Sequence, residues 1–390
     1  MNLHRALSVI LICLIGTALL GCAGYSLTPR ISLTSSFTNT ISPTETRTAK
    51  PTQILTLPPL PIPPPQGRIE LPYRTLFLAI DDRYVYWLAS PDRIVRQSLK
   101  AGQGVLLETI ATTRYPNGRL DLVPMQRNGD WLFFVDCNTP GTPVVWMVRA
   151  INVYTGTEKM VAQSLGTSTI YDFKADNGRV AMTLSDWGPD KKCPGVNKGD
   201  AVLAIAQLDT GKREDLDRVC FDQAEWLNVA ISGNNLFATR ASANKSYSDV
   251  ILFNLQVGSS LQLSQSLGVP ATGLLAAQGS WVAWDATGGT LLYNLSNHEH
   301  TLVNNVNGSG ALLYPRIDGA WLYWTDWAVD GYKVVVYSLD RREMYIMAAP
   351  GENELVWEPT IYLNMIVWER TLQIDQANGH SLLEWTRLPQ

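Results

Sequence analysis

The chain has 390 residues, with 31 Lys and Arg against 35 Asp and Glu, a formal net charge of −4. That balance excludes nucleic acid and an anionic membrane surface as the main partner, because both select a basic surface. The length and the 46% hydrophobic content support one large core once the N-terminal region is set aside.

Residues 1–21 read as an export signal. Arg5 supplies the positive start, and Leu7 to Leu20 form an apolar run of 14 residues, short of the ~20 that span a bilayer. The segment closes on Leu19-Leu20-Gly21-Cys22. This resembles the lipobox of bacterial lipoproteins: an aliphatic residue, a small residue just before the cysteine, then the cysteine itself. Leu20 is larger than that family prefers at its position. The resemblance implies cleavage before Cys22 and lipidation of its sulfur, and two acyl chains suffice for stable anchoring. An ordinary secretory signal with a chance cysteine is the alternative. The expected address is the bacterial cell envelope, lipid-anchored and extracytoplasmic, either periplasmic or at the cell surface. Cleavage removes Arg5 and no acid, so the mature chain carries −5.

Residues 22–67 are of different material. Roughly half of them are Ser, Thr or Pro, ending in Leu57-Pro58-Pro59-Leu60-Pro61-Ile62-Pro63-Pro64-Pro65. Such a stretch buries too little apolar surface to offset its ordering entropy and is expected to be a disordered linker. Its Pro-rich end is expected to be extended polyproline II, a semi-rigid stalk, with a ligand for a Pro-binding domain as the alternative.

Residues 68–390 repeat. Seven turns are each followed by a short aromatic and aliphatic run: Tyr84–Trp87, Trp131–Phe134, Arg179–Met182, Asn235–Ala238, Trp281–Trp284, Trp321–Trp324 and Met365–Trp368. Their second residues lie 47, 48, 56, 46, 40 and 44 positions apart. A strand-built period near 45 residues marks a β-propeller. The first block shows the unit. Thr75 to Ile80, Tyr84 to Leu88, Arg93 to Leu99 and Val105 to Ile110 read as four short strands within about 40 residues, one blade. The turn before the second strand is Asn128-Gly129, Asn177-Gly178, Gly233-Asn234, Gln278-Gly279 and Asp318-Gly319 in five successive blocks. Such pairs accept the positive φ of two-residue hairpins. The expected fold is all-β, a propeller of about seven four-stranded blades starting near 75, 121, 170, 226, 272, 312 and 354. Six or eight blades stay open, because the first and last blocks are the least regular. Residues 68–72 are expected to add to a neighbouring edge and help close the ring.

The block pattern resembles TolB-like and YWTD-type propellers, and Tyr323-Trp324-Thr325-Asp326 spells that second motif once. The other blocks depart from it, as in Trp284-Asp285, Val135-Asp136 and Trp368-Glu369. The resemblance covers about 320 residues as pattern and four as motif. It implies the architecture and an extracytoplasmic binding platform, and transfers no receptor or ligand role.

Acids recur at the ends of the second strands: Asp136, Asp186, Asp285, Asp326 and Glu369. In two blocks an aromatic follows, Trp187 and Trp327. These seven residues form a candidate binding face, suited to a sugar, a peptide amine or a cation. The competing reading is structural, since a strand-end carboxylate bonds nearby amides and shapes the turn. Trp87, Trp284, Trp324 and Trp368 are expected in the core. Cys137, Cys193 and Cys220 remain beside the lipid site, and an exported protein permits disulfides. Cys193–Cys220 is the preferred pair, a staple across the longest loop, with Cys137–Cys193 as competitor.

No metal site is expected, because the cysteines lack CxxC spacing and a nearby histidine. His298-Glu299-His300 falls in a polar surface turn, His380 stands alone in another, and Asp215-Leu216-Asp217 lacks EF-hand spacing for calcium. Ser242 and Lys245 match Ser-x-x-Lys only by letters, in a loop where that motif needs a helix. No catalytic elbow, zinc helix, phosphate loop or dinucleotide fingerprint occurs, and no cofactor is expected. The leading expectation is a monomeric, membrane-anchored binding or scaffold protein for an envelope protein, peptide or glycan, without catalysis. The alternative is a carbohydrate-active hydrolase or lyase using carboxylates on one face. An assembly role, for instance beside a transporter, is a third reading.

Overall fold

The structure is a computed structural model. It describes residues 62–71, 76–99, 107–120, 123–138, 145–164, 168–188, 191–194, 199–243, 246–304, 306, 313–328, 331–372 and 381–389. Cys22, His380, Lys245 and the expected linker up to residue 61 lie outside the described residues.

The described strands form seven four-stranded antiparallel sheets. Blade 1 is β2 (Leu76–Ile80), β3 (Tyr84–Ser90), β4 (Arg93–Ser98) and β5 (Glu108–Thr112). Blade 2 is β6 (Gln126–Asn128), β7 (Trp131–Cys137), β8 (Trp146–Asn152) and β9 (Glu158–Gln163). Blade 3 is β10 (Ser168–Asp176), β11 (Arg179–Asp186), β12 (Asp200–Gln207) and β13 (Arg213–Cys220). Blade 4 is β14 (Ala224–Ser232), β15 (Asn235–Ser242), β16 (Ser248–Asn254) and β17 (Ser259–Gln262), followed by a short helix, α1 (Leu263–Leu267). Blade 5 is β18 (Leu275–Gln278), β19 (Trp281–Ala286), β20 (Gly289–Asn294) and β21 (His300–Val303). Blade 6 is β22 (Leu313–Asp318), β23 (Trp321–Ala328), β24 (Gly331–Ser338) and β25 (Met344–Ala348). Blade 7 is β26 (Glu354–Tyr362), β27 (Met365–Leu372) and β28 (Ser381–Arg387), completed by β1 (Gly67–Leu71) from the other end of the domain.

Seven blades is thus the count, and the N-terminal strand closes the ring. Gly67 pairs with Trp385 and Leu71 with Ser381, so β1 is the outermost strand of blade 7. Ile69 and Leu71 are buried there. The first strands of blades 1 to 6 touch in succession around the axis, β26 of blade 7 packs on β23 and β24, and β26 touches β2. The fourth strand of blade 1 begins at Glu108, later than the expected Val105, and residues 105 and 106 lie outside the described residues.

Side chains alternate between the two faces of each sheet, and each face packs on the next blade. Val180, Met182 and Leu184 of β11 face Phe133, Val135 and Cys137 of blade 2. Ala181 of the same strand faces Trp226 and Leu236 of blade 4. The apolar runs are therefore buried on both sides. Trp87, Trp284, Trp324 and Trp368 are fully buried, as expected. The recurrent turns work as read: Asn177 and Gly178 have φ of 48° and 71°, the pair of left-handed residues that a type I′ hairpin needs.

One repeated feature was not legible. Five innermost strands carry an extra residue at the same phase. In β10, Ile170 pairs with Leu184 and Asp172 with Thr183, leaving Tyr171 unopposed. In β22, Tyr314 and Pro315 together face Trp324, and in β26 Glu358 and Pro359 face Trp368. Strands β2 and β14 bulge likewise. Proline fits because an innermost strand has a free edge and needs no donor there.

Candidate functional site

The strand-end acids share one end of the ring but not an open surface. Asp136, Asp326 and Glu369 are 0–1% exposed, and Asp186 and Asp285 are 6% exposed. Asp136 accepts from the Thr113 hydroxyl at 2.5 Å, the Arg114 amide at 2.9 Å and Arg149 Nη1 at 2.6 Å. Asp186 accepts from the Gly188 amide and from Arg218, both at 2.9 Å. Asp285 accepts from the Leu274 amide at 3.0 Å and the Thr290 hydroxyl at 2.9 Å. Asp326 accepts from the Val306 amide at 2.5 Å, and Glu369 from the Ser381 hydroxyl at 2.6 Å. The expected binding arc of these five acids is therefore corrected. A buried carboxylate is stable only when bonded, and these bond the links between blades.

The strand parity gives the reason. Asp136 shares its sheet face with Leu132 and Phe134, which pack on blade 1. Asp326 shares its face with Leu322 and Trp324, which pack on blade 5. An acid in such a row continues the interface between blades instead of facing solvent.

Arg218 is the hub of the busiest acid group. It reaches Asp186 at 2.9 Å, Asp200 at 3.0 Å and Asp215 at 2.7 Å. Burial opposes charge on Asp215, but Arg213 and Arg218 outweigh it and hold this carboxyl below its ordinary value. Asp215, one of the two acids considered for calcium, is thus engaged by arginine.

Cys193 and Cys220 form a disulfide, with Cα atoms 5.6 Å apart across a separation of 27 residues. Cys137 is a buried thiol. The Asp200 carboxylate lies within 4.8 Å of both sulfurs. The sulfurs are bonded to each other and Arg218 is on Asp200, so the trio offers no thiolate to a metal. The staple fixes the base of the loop that presents Trp187. The indole is 41% exposed and stacks on Phe221 at 5.4 Å and 15°. It lies flat on Gly199, where a Cβ would meet the ring at 2.7 Å. The Trp327 backbone belongs to β23, and its side chain lies outside the described residues.

Two further exposed aromatics come from the bulges. Tyr171 is 37% and Tyr314 63% exposed although both sit on innermost strands. Burial and then the Glu225 charge raise the Tyr171 phenol above its ordinary value, against a hydrogen bond with Ser185. Tyr314 is raised by the protein crowding its hydroxyl, by Glu358 and by Tyr332, against Arg316. The two aromatics are thus alike: each feels the charge of an acid on the following blade, Glu225 on β14 and Glu358 on β26. Tyr314 and Glu358 both hold left-handed backbones, with φ of 55° and 48°. These four residues were missed by sequence reading. The available signal was a breaker at constant phase inside a strand, Pro315 and Pro359.

His298 occupies the left-handed position of the β20–β21 turn, φ 60°, with its ring 2.7 Å from the Tyr293 hydroxyl. It is part of a surface turn, as expected, at the opposite end of the ring.

No family model and no curated protein matches the sequence. Solved structures do match in fold. The β-propeller domain of the Trilobed protease from Pyrococcus furiosus, described as having an open velcro topology, aligns with a TM-score of 0.54 at 9% identity, over 82% of this chain and 96% of that one. The acylaminoacyl peptidase of Pyrococcus horikoshii aligns with a TM-score of 0.53 at 9% identity, over 76% of this chain and 49% of the other, so the chain spans about half of that peptidase. TolB from Acinetobacter baumannii also matches, with a TM-score of 0.42 at 13% identity over 80% of both chains. The topology defines a seven-bladed β-propeller, and the likeness in fold to the two Pyrococcus proteins agrees with it. Within that class this one is closed by pairing its first strand with its last.

Proposed function

We propose that the protein is an extracytoplasmic, lipid-anchored binding scaffold. Its working surface is the end of the ring that carries Tyr171, Glu225, Tyr314, Glu358 and the Trp187–Phe221 stack. The observation that carries this reading is the exposure of two tyrosines on innermost strands, Tyr171 and Tyr314, each within the field of an acid of the next blade. An aromatic face beside a carboxylate suits a protein or peptide partner, offering an amphipathic anchor and a charge at low cost in side-chain entropy. The left-handed backbone of Tyr314 adds to this, since left-handed bulky residues cost energy that ordinary strand pairing does not require. The lipobox-like Leu19-Leu20-Gly21-Cys22 supports an extracytoplasmic address, with residues 22–67 as the expected linker to the surface.

The test is capture from bacterial envelope extracts by the immobilised mature chain. A partner retained by the wild type and lost with Tyr314→Ala plus Tyr171→Ala supports the reading. A partner retained equally by that variant sinks it. Metabolic labelling with palmitate, abolished by Cys22→Ala, tests the anchor separately.

A further inference from the structure

We propose that blade 4 carries a second, independent site, a shallow pocket for a neutral sugar ring at the outer part of the blade. The pocket measures about 310 Å³ and is lined by Tyr247, Asp249, Gln262, Ser264, Gln265 and Pro270. That volume lies at the lower bound of small-molecule sites, roughly 300 Å³, and fits a ligand of one ring or little more.

Its wall is an elaboration of this blade. The outermost strand β17 runs straight into α1, the only helix among the described residues. Leu263 is buried and pins the turn to the core, and the Ser264 hydroxyl accepts from the Val250 amide at 2.9 Å. Gly268 ends the turn in the left-handed conformation. The chain then folds back over β16, where Ala271 and Ser248 exchange both backbone hydrogen bonds at 2.8 and 2.9 Å. The link to blade 5 is thereby held against the blade rather than passing directly between strands.

The lining selects the chemistry. The Tyr247 ring is 40% exposed, and Gln262 and Gln265 are exposed too, so all three reach the surface at the pocket. No Lys, Arg or His is among the described residues that line the pocket. Its one charged group among the described lining residues is Asp249, in register with Arg240 of β15, whose guanidinium lies over the Trp226 ring. A described lining with one carboxylate and no cation disfavours an anion, and two carboxamides beside an aromatic ring suit a neutral, hydroxyl-rich ligand. A carboxamide presents donor and acceptor in one plane, and a carboxylate presents two acceptors, spacings that match neighbouring hydroxyls on a ring. An aromatic face takes the apolar C–H side of the same ring. A peptide amide is the competing occupant, and the measurement below separates the two.

Saturation-transfer NMR on the full mature chain, with glucose, galactose and N-acetylglucosamine as separate probes, tests this. At least one sugar is expected to receive saturation, and Tyr247→Ala and Gln265→Ala are each expected to weaken it at least tenfold. Both residues are exposed, so unfolding temperatures should match wild type; Tyr247→Leu and Gln265→Glu repeat the test if either alanine variant is unstable. Trp187→Ala and Tyr314→Ala are expected to leave sugar binding unchanged, which separates this site from the axial surface. No transfer to any of the three sugars, transfer that survives both substitutions, or displacement by N-acetylglycine methylamide would overturn the proposal.

Discussion

Arg149 Nη1 lies 2.6 Å from Asp136 Oδ2, with 3% and 0% of the two side chains exposed. The same guanidinium donates to the Thr112 carbonyl at 2.7 Å and to both Glu158 oxygens at 2.9 and 2.8 Å. Asp136 in turn holds Thr113 and Arg114. One ion pair therefore bolts the exit of blade 1 to the second and third strands of blade 2. Removing one partner strands a buried charge. Asp136→Ala is expected to lower unfolding stability by about 3–5 kcal/mol. The double variant Asp136→Ala/Arg149→Leu should lose less than the sum of its parts. Urea unfolding of the three proteins decides it, and simple additivity would count against a coupled pair.

The Cys193–Cys220 bridge closes a loop of 27 residues beneath Trp187. Replacing both cysteines by serine is expected to cost about 3 kcal/mol. The loop should also loosen around Gly199, so Trp187 fluorescence should shift to the red. Thermal unfolding and emission spectra, compared with the wild type under oxidising conditions, read both effects. Unchanged values in both would mean that the bridge braces nothing.

Burial raises the Asp285 carboxyl to about 6, against hydrogen bonds from Thr290 and the Leu274 amide. Burial also raises Asp318 to about 6. An acid with a higher pKa folded than unfolded holds its proton more tightly in the native state. Its contribution to stability is full below the unfolded value near 4 and is lost as pH rises to about 6. Asp285→Asn escapes that loss. Its stability relative to wild type should climb between pH 4 and 6.5, by on the order of 2–3 kcal/mol at 1.36 kcal/mol per pH unit. The check is chemical unfolding at closely spaced pH values; a constant difference between the two proteins would refute it.

The ring closure rests on β1. A Cβ on Gly67 would sit 2.1 Å from the Trp385 indole. Gly67→Ala should therefore displace that ring, and Leu71→Ala should cost about 2–5 kcal/mol from the buried site. Removing residues 1–71 should leave β28 as an open edge. Hydrogen exchange at Leu383 and Trp385 amides should then quicken far more than at blade 4 amides. Equal protection in both would show that β1 is dispensable.

Much of the fold was written in the sequence. The seven runs, the Gly-containing turns at one phase and the buried tryptophans needed only local rules, because hairpin geometry and strand alternation act over a few residues. Closure by residues 67–71 was partly legible, since a lone strand before the first block has only an edge to join. The candidate site was mostly hidden. Asp136 and Asp326 look identical in sequence to surface acids, yet their partners Arg114, Arg149 and Val306 arrive from other strands and links.

What the sequence by itself determined is the repeat, its blade number to within one, and the turns that define each hairpin. Only the tertiary structure decided which groups meet solvent. The reason is physical: a residue's exposure depends on the neighbouring blade, which lies some 45 residues away. A one-residue bulge turns Tyr171 and Tyr314 outward, while the regular pleat carries the strand-end acids into the interface between blades.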